Sequence, residues 1–280
     1  MNYRHAFHAG NFADLVKHAV LTAALARLTA EGGPLLVVDT HAGAGLYRID
    51  GAEARSSGEA AAGIARLMAD PAAPQVFQPL KAAVARLNPK GGFGLYPGSP
   101  RLIADRLRRG DRLVACELRP QEAALLRAAL KDAPAAEVVA GDGYETAKAR
   151  AQSQAKAGQR LLVLIDPPFE RPDDYARAAE TALRVLARVP AAMVLVWLPL
   201  KDLETFDGFL RRLEQGDAPG ALVIEARLRP LDDPMKMNGC ALVAINPPKG
   251  LDVEAAQAAQ WVVSACGGPD GEARIWRLDS

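Results

Sequence analysis

The amino-acid sequence predicts an α/β fold, in which helices cover both faces of a mostly parallel β-sheet. Seven short segments rich in aliphatic or β-branched residues recur along the 280 residues. Alanine-rich stretches with apolar residues at helical spacing separate most of these segments, which is the alternation expected of strands joined by helices. The first five segments are continuous apolar runs, as strands buried on both faces require, so we expect most of them inside the sheet.

The composition is typical of a folded protein of a reducing compartment. Hydrophobic residues make up 50% of the chain, which excludes disorder, and 34 basic residues nearly balance 33 acidic ones. Three widely separated cysteines without a C-x-x-C pair argue against disulfides and thiolate zinc sites. The longest apolar stretch, residues 191–200, is about half of what a membrane span needs. We therefore expect a soluble, cytoplasmic protein without a membrane partner.

The predicted elements follow one another in a regular order. A first helix is expected over residues 12–28, ahead of the first strand. The strands are predicted over residues 35–39, 113–117, 137–140, 161–165, 193–198, 221–228 and 240–245. The last two have no helix-length pattern between them, so they should pair as an antiparallel hairpin at one end of the sheet.

A region between the first two strands departs from the alternation. Residues 49–95 contain two helical patterns, 58–68 and 75–87, with glycine-rich segments at both borders. We therefore predict one α/β domain formed by residues 1–48 and 96–280, interrupted by a small helical subdomain.

The first predicted strand ends in a turn of small residues, Asp39-Thr40-His41-Ala42-Gly43-Ala44-Gly45. Such a turn lets a ligand approach the backbone at the carboxyl edge of a sheet. In nucleotide-binding folds an acidic residue ends the next strand and holds ribose hydroxyls, and Glu117 stands there. The sequence separation between Gly45 and Glu117 is far greater than the roughly 20 residues of a simple dinucleotide site. The predicted helical insertion between them accounts for the extra length. A tight glycine connection without a ligand is the alternative.

The most specific motif is Asp166-Pro167-Pro168-Phe169, directly after the apolar run of the fourth strand. Two prolines hold the backbone extended, so the carboxylate of Asp166 and the carbonyl of Pro167 can converge on one donor group. An exocyclic amine on an aromatic base is a poor nucleophile, because its lone pair is delocalised into the ring. Two acceptors that bind its hydrogens would favour a tetrahedral nitrogen, while Phe169 stacks on the base. The alternative is a strand end closed by a Pro-Pro turn.

A second Pro-Pro motif, Asn246-Pro247-Pro248-Lys249, serves as an internal comparison. It follows the last hairpin strand rather than a central one, and its fourth residue has no aromatic face. We predict a structural turn there.

Two further segments begin predicted helices at the same edge of the sheet. In Tyr96-Pro97-Gly98-Ser99-Pro100 we expect Ser99 as the N-cap and Pro100 as the first helical residue. In Gly141-Asp142-Gly143-Tyr144 the carboxylate of Asp142 is placed to accept from an adenine amino group. Both segments could equally be ordinary caps and turns.

All four histidines fall within the first 41 residues: His5, His8, His18 and His41. No cysteine lies nearby, and we predict no metal site. The tail from Tyr3 to His8 carries an aromatic ring and several donors, so we expect it to cover the mouth of the active site. A solvated tail without function is the alternative.

A local cluster of basic residues follows the Ser99 helix: Arg101, Arg106, Arg108, Arg109 and Arg112. Such a cluster is usually a solvated surface, although it could serve RNA phosphates.

Six motifs, in this order along nearly the whole chain, resemble the RlmJ-type family of bacterial methyltransferases, which modify N6 of an adenine in 23S ribosomal RNA. They are YRHAFHAGNFADLVKH (3–18), DTHAGAG (39–45), YPGSP (96–100), CELRP (116–120), GDG (141–143) and DPPF (166–169). The resemblance implies a Rossmann-like, seven-stranded sheet with a helical insertion, and S-adenosylmethionine as cofactor. The family's fourth DPPF residue is commonly tyrosine, so Phe169 keeps the stacking face without the hydroxyl.

The resemblance also implies roles for individual residues. Cofactor contacts match His18, His41, Ser99, Glu117, Asp142, Gly143 and Asp166. The family's catalytic aspartate corresponds to Asp166, and the chemistry argued above for the DPPF motif makes Pro167 and Phe169 catalytic candidates as well. The family's RNA-contacting positions correspond to Tyr3, His5 and Lys17. The expected substrate is 23S ribosomal RNA, free or in an early assembly particle, and the expected enzyme is a monomer. A DNA adenine-N6 methyltransferase and a non-catalytic nucleotide- or RNA-binding protein remain as alternatives.

Overall fold

The computed structural model describes residues 8–50, 58–157, 160–233 and 235–278. Within these ranges the strands are β1 (Leu35–Asp39), β2 (Leu46–Arg48), β3 (Leu95–Pro97), β4 (Arg112–Glu117), β5 (Ala136–Ala140), β6 (Arg160–Ile165), β7 (Met193–Leu200), β8 (Ala221–Arg227), β9 (Gly239–Ile245) and β10 (Glu272–Leu278). The helices are α1 (Phe12–Ala30), α2 (Glu59–Ala62), α3 (Ile64–Ala69), α4 (Gln78–Leu87), α5 (Ser99–Ala104), α6 (Pro120–Ala129), α7 (Gly143–Ala157), α8 (Asp174–Arg188), α9 (Leu203–Gln215) and α10 (Leu251–Cys266). A 3-10 turn, Gln75–Phe77, precedes α4.

Eight of these strands form the central sheet, in the order β10-β8-β9-β7-β6-β1-β4-β5. The five strands from β7 to β5 are parallel, and β9, β8 and β10 each pair antiparallel with a neighbour. The parallel strands are joined by helices that pack on the two faces, which confirms the α/β fold class. All seven predicted strands are present, with bounds that differ by at most two residues.

The eighth strand is the main difference from the sequence prediction. The hairpin of β8 and β9 forms as expected, but β10 covers its outer strand, so the hairpin does not end the sheet. Residues 272–278 mix arginines with apolar residues, because an edge strand buries only one face. The same reason makes β5 half exposed, although its valines suggested an interior strand. The sheet therefore has one more strand than the seven expected.

Two apolar layers sandwich the sheet. On one face, α1 and α10 pack together with the insertion, and the core includes Leu21, Ile64, Phe77 and Val262. On the other face, α7, α8 and α9 pack against the sheet around Ala147, Val185 and Phe209. None of the helices in the described part of the chain is long and apolar enough to cross a membrane.

The insertion is closed at its base by a short hairpin. Strands β2 and β3 pair antiparallel, from Leu46 opposite Pro97 to Arg48 opposite Leu95. The two predicted helical patterns are present, but glycine at position 63 divides the first into α2 and α3. The insertion also contacts α10, where the Trp261 indole donates to Asp70 at 2.7 Å. The domain boundaries at residues 48 and 96 stay a prediction.

The second Pro-Pro motif lies at the edge of the sheet opposite the carboxyl ends of the parallel strands. Asn246 adopts a left-handed conformation with φ of 52°. Its side-chain amide donates to the carbonyls of Pro190 and Ala192 at 2.8 and 2.9 Å. These bonds close the turn, as expected of a structural role.

The basic cluster also lies at this opposite edge, and two of its five arginines form ion pairs within the fold. Arg101 pairs with Asp105 and Asp132, and Arg108 pairs with Asp111. Asp111 is buried and accepts from the backbone N–H of Leu35 at 2.9 Å and of Arg108 at 2.8 Å. The alternative of RNA-binding arginines therefore has no support at these two positions.

Asp111→Ala should destabilise the protein markedly, because it leaves the buried N–H of Leu35 without an acceptor. We expect a loss of about 1–3 kcal/mol in the free energy of unfolding, measured by urea titration. Burial raises the pKa of Asp111, but its hydrogen bonds with Arg108 outweigh burial and lower it overall. The ionised Asp111 therefore stabilises the fold fully above its unfolded-state pKa, and this stabilisation is lost as the pH falls through its lower folded-state pKa. Asp132→Ala, which removes an exposed ion pair with Arg101, is the control and should lower the free energy of unfolding by at most about 1 kcal/mol. Equal losses for the two variants would contradict this account.

Candidate active site

A cleft of about 550 Å³ opens at the carboxyl edge of the parallel strands. Parallel strands direct their carboxyl ends to one edge, so the turns after β1, β4, β5, β6 and β7 all contribute to its walls. Every predicted site residue within the described ranges lines it: Lys17, His18, His41, Ser99, Glu117, Asp142, Gly143, Asp166, Pro167 and Phe169. Tyr3 and His5 lie outside the described residues. Lys17 and Asp166, which are 149 positions apart in sequence, therefore meet at this one edge.

The glycine turn after β1 forms one end of the cleft. Gly43 and Gly45 have φ values of 60° and 75°, which only glycine adopts readily. A Cβ on Gly43 would lie 2.1 Å from the Tyr47 hydroxyl, and one on Gly143 would lie 1.8 Å from the Thr40 carbonyl oxygen. The lack of side chains lets the start of α7 approach this turn and leaves backbone facing the cleft.

The tautomer of His41 follows from its neighbours. Thr40 donates its single hydroxyl hydrogen to the Leu164 carbonyl at 2.9 Å. The Thr40 oxygen must therefore accept from His41 Nδ1, which lies 2.7 Å away. Burial lowers the pKa of His41 to about 4, with Asp142 opposing and Arg177 adding to the shift. The neutral ring thus carries its proton on Nδ1, and Nε2 is an acceptor.

Glu117 ends β4 and is fixed by two backbone donors. Its Oε2 accepts from Gly43 N–H at 3.1 Å and its Oε1 from Arg119 N–H at 2.7 Å. Burial raises its pKa. The carboxylate is therefore tied to the glycine turn and remains in the cleft wall, as a site for two hydroxyl donors requires.

Asp142 has more partners than the sequence predicted. Its Oδ1 accepts from the Tyr144 N–H at 2.9 Å, which caps α7, and its Oδ2 pairs with Arg177 at 2.6 Å. The Arg177 guanidinium also lies 4.4 Å from the centre of the Tyr144 ring. Arg177 belongs to α8, so it joins the loop after the DPPF motif to the start of α7. No local sequence pattern indicated this arginine.

A buried group of three charges lies at the base of the DPPF motif. Lys17 Nζ lies 2.7 Å from Asp166 Oδ2 and 2.8 Å from Asp14 Oδ1, and the lysine side chain is only 5% exposed. Burial alone would lower the pKa of Lys17, but the two carboxylates together raise it well above its usual range. The lysine stays charged, and it fixes one oxygen of Asp166.

Asp14 is a site residue that the sequence analysis did not single out. It lies one helical turn before Lys17, and an acid and a base at this spacing are common on solvated helix faces. Only the tertiary structure shows that this face of α1 is buried. Since Lys17 is buried and pairs with two carboxylates, its removal would also destabilise the fold, so Lys17→Ala is not a clean test of RNA contact.

Phe169 has φ of 50° and packs in an aromatic group. Its ring centre lies 4.5 Å from that of Tyr175 and 5.9 Å from that of Trp197. Only 8% of the residue is exposed, although it lines the cleft. A strained backbone held by packing is typical of functional positions. Stacking of Phe169 on a base stays a prediction, with Trp197 as an unpredicted neighbour.

Ser99 does not form the N-cap that the sequence suggested. It is the first residue of α5, and Gly98 stands at the cap. Its hydroxyl donates to Asp39 Oδ2 at 2.7 Å instead, because a buried carboxylate is the stronger acceptor. Burial raises the pKa of Asp39 to about 7, while the Ser99 bond lowers it. The Ser99 hydroxyl hydrogen is therefore used within the fold, and toward a ligand in the cleft the oxygen can act only as an acceptor.

No group of three or more histidine, cysteine or acidic side chains suited to a metal occurs among the residues that the structure describes.

Comparisons with known proteins agree with this geometry. A family model described as ribosomal RNA large subunit methyltransferase D, RlmJ, matches residues 32–278. The chain belongs to this family. The predicted resemblance to RlmJ enzymes and the predicted enzyme class, a methyltransferase that uses S-adenosylmethionine, are thereby confirmed. Ribosomal RNA is the substrate class of the family.

Individual relatives of the RlmJ family cover nearly the whole chain. The ribosomal RNA large subunit methyltransferase J of Escherichia coli K12 is 32% identical over 264 residues, 94% of this chain and 93% of that protein. Its namesake from Haemophilus influenzae is 33% identical over 256 residues, 91% and 90% of the two chains. A crystal structure of a Legionella pneumophila protein, 29% identical, superposes with a TM-score of 0.87 and covers 96% of this chain and 98% of that one.

His41 should remain neutral across the physiological pH range. With a pKa near 4, its imidazole signals should not shift between about pH 5.5 and 8 in an NMR titration. His8, whose pKa Glu59 raises, should titrate within or above this range and serves as the internal control. His41→Gln assigns the signal. A His41 that titrates near pH 6.5 would mean that its ring is hydrated rather than buried.

Proposed function

We propose that this protein transfers a methyl group from S-adenosylmethionine to N6 of one adenine in 23S ribosomal RNA. One observation carries the proposal: the carboxylate of Asp166 stands in the cleft between the glycine turn and Phe169, with Lys17 fixing one of its oxygens. Family membership and the breadth of the matches support the RNA substrate.

The residues of the cleft fit an adenosyl cofactor, which when bound supplies an electrophilic methyl group. Gly43 and Gly143 leave the backbone bare where a side chain would clash, and Glu117 offers a carboxylate suited to two ribose hydroxyls. The proposed holders are His18, His41, Ser99, Glu117, Asp142, Gly143 and Asp166. The neutral Nε2 of His41 and the lone pairs of Ser99 suit an ammonium donor.

Asp166 acts on the target amine. The N6 lone pair of adenine is delocalised into the ring, so the amine attacks only when acceptors bind its hydrogens and favour a tetrahedral nitrogen. Asp166 and the carbonyl of Pro167 are the proposed acceptors. Lys17 pairs with one oxygen of Asp166, so the carboxylate is held where it can accept the amine hydrogen. Once the methyl group is bound, the nitrogen releases its extra proton to Asp166.

The adenine must leave its stack to enter the cleft. Extrusion costs a few kcal/mol, and stacking on an aromatic side chain such as Phe169 offsets about 1–3 kcal/mol of it. Tyr3, His5 and Lys17 are proposed to contact the RNA, and the tail before α1 is proposed to close over the extruded base.

Several finer statements belong to the same proposal. We propose a monomeric, cytoplasmic enzyme that acts on 23S RNA, free or in an early assembly particle. Residues 49–95 are proposed to form an inserted helical subdomain within the methyltransferase domain of residues 1–48 and 96–280. The alternatives of a DNA adenine methyltransferase and a protein without chemistry have no support, since the chain belongs to a family of ribosomal RNA methyltransferases.

A methyl-transfer assay distinguishes these functions. Tritium from labelled cofactor should appear on 23S ribosomal RNA as N6-methyladenine and not on DNA or protein. Asp166→Asn keeps an oxygen acceptor but loses a charge-assisted bond worth about 1.5–3 kcal/mol, so turnover should fall by about tenfold or more. Cofactor affinity, measured by calorimetry, should change far less. Near-normal turnover of this variant would refute the role of Asp166, and label on DNA alone would refute the RNA substrate.

Glu117→Ala should weaken cofactor binding by about tenfold or more, which is about 1.4 kcal/mol, because two hydroxyl acceptors are lost. RNA binding, measured by fluorescence anisotropy, should persist. Glu122→Ala, a carboxylate in the same cleft wall, is the matched control and should change cofactor affinity little. Unchanged affinity for Glu117→Ala would place the ribose elsewhere.

A further inference from the structure

The insertion reaches the cleft through Glu59, which begins α2. Glu59 Oε1 lies 2.8 Å from His8 Nδ1, and Oε2 accepts from the Asn11 side-chain amide at 3.0 Å. The side chains of His8 and Glu59 are 39% and 33% exposed. All three residues line the cleft. One carboxylate of the insertion thus holds both ends of the segment that leads into α1.

The backbone makes a second link between the same two parts of the chain. Ile64 N–H donates to the Gly10 carbonyl at 2.9 Å. A Cβ on Gly63 would lie 2.2 Å from that carbonyl oxygen, and one on Gly10 would lie 2.9 Å from Ile64 Cγ2. The two glycines let the backbones meet, and the break between α2 and α3 occurs at this contact.

The segment held by Glu59 continues directly to the catalytic carboxylate. Asn11 caps α1 by accepting from Asp14 N–H at 3.0 Å, and Gly10 N–H donates to Asp14 Oδ2 at 2.9 Å. The other oxygen of Asp14 holds Lys17, which in turn holds Asp166. A continuous series of polar contacts therefore runs from the insertion to the DPPF motif.

We propose that Glu59 is a positioning residue for methyl transfer, which clamps residues 8–11 so that Asp14 and Lys17 hold Asp166 in place for the incoming adenine. The inference rests on the proposed function, and it gives the helical insertion a part in the reaction. We call the contacts of Glu59 with His8 and Asn11 the Glu59 clamp.

The clamp is separable from the folding of the insertion. Ile64, Leu67, Phe77 and Leu80 are buried in the core shared with α1. These apolar contacts hold the insertion in place without Glu59. Glu59→Gln keeps the size and one acceptor oxygen but removes the charge, so it tests positioning without opening a cavity.

The test compares single-turnover methylation of 23S ribosomal RNA at saturating cofactor and RNA. Glu59→Gln should lower the rate by about tenfold or more, while cofactor affinity stays within about twofold and the melting temperature within about 3 °C. Glu180→Gln, which removes a carboxylate from an exposed pair with Arg184 on α8, is the matched control and should keep the full rate. A rate within about twofold of the unaltered enzyme overturns the clamp.

A double-mutant cycle checks that the partners act as one unit. His8→Gln keeps a donor without the titratable ring and should also lower the rate. Because both changes break the same contact, the combination of His8→Gln with Glu59→Gln should lose little more than either alone. Losses that multiply would mean that the two residues act independently and would overturn the clamp.

A pH profile distinguishes positioning from general destabilisation. The bond to Glu59 raises the pKa of His8, with burial opposing and the charges of Glu59 and Asp14 supporting the shift. The charged pair is therefore complete below about pH 6.5 and is lost as the pH rises through the raised pKa. The rate ratio of the unaltered enzyme to Glu59→Gln should fall across this rise but stay above one, because Glu59 still accepts from the Asn11 side-chain amide. A constant ratio would overturn the clamp.

The outcomes separate the two proposals. If the unaltered enzyme labels no RNA, the proposed function fails, and the clamp fails with it. If the unaltered enzyme labels RNA and Glu59→Gln does so equally well, only the clamp fails.

Discussion

The buried lysine between two aspartates is the interaction on which the rest of the site depends. Lys17 joins α1 to the end of β6 through a side chain that is only 5% exposed, and its ammonium lies against both carboxylates. One ammonium against two carboxylates leaves one excess negative charge when both are ionised, which favours a cationic ligand in the cleft. A single pair of contacts thus holds the start of the DPPF motif and brings three charges together.

Three other polar residues of the cleft are held in a similar way, each by a partner from a different part of the chain. Glu117 is held by the glycine turn, Ser99 by Asp39, and Asp142 by Arg177. These partners leave the side chains little freedom before a ligand arrives, which reduces the entropy that binding must overcome. Two arginines of the basic cluster at the opposite edge show the same principle in a structural role, because Arg101 and Arg108 are paired with carboxylates and Arg108 also donates to the Gly33 carbonyl.

The proposed role of the insertion follows from the polar contacts of Glu59 rather than from its apolar core. Its apolar residues merge with those of α1, which any helical pair would do. Glu59, however, extends into the cleft and binds the two ends of the segment before α1. The backbone contact between Ile64 and Gly10 explains the glycine that divides the first helical pattern, since a side chain at position 63 would collide with the Gly10 carbonyl.

The sequence by itself determined the fold class, the seven main strands and the cleft residues, because each strand end carried its own local signal: a glycine turn, an acid, or the DPPF motif. It did not determine β10, whose alternating residues bury only one face, nor the place of Ser99, whose hydroxyl prefers a buried carboxylate over its own helix. The tertiary structure alone decided the roles of Asp14, Glu59 and Arg177. Each acts through a partner distant in sequence, and no local pattern records such a partner.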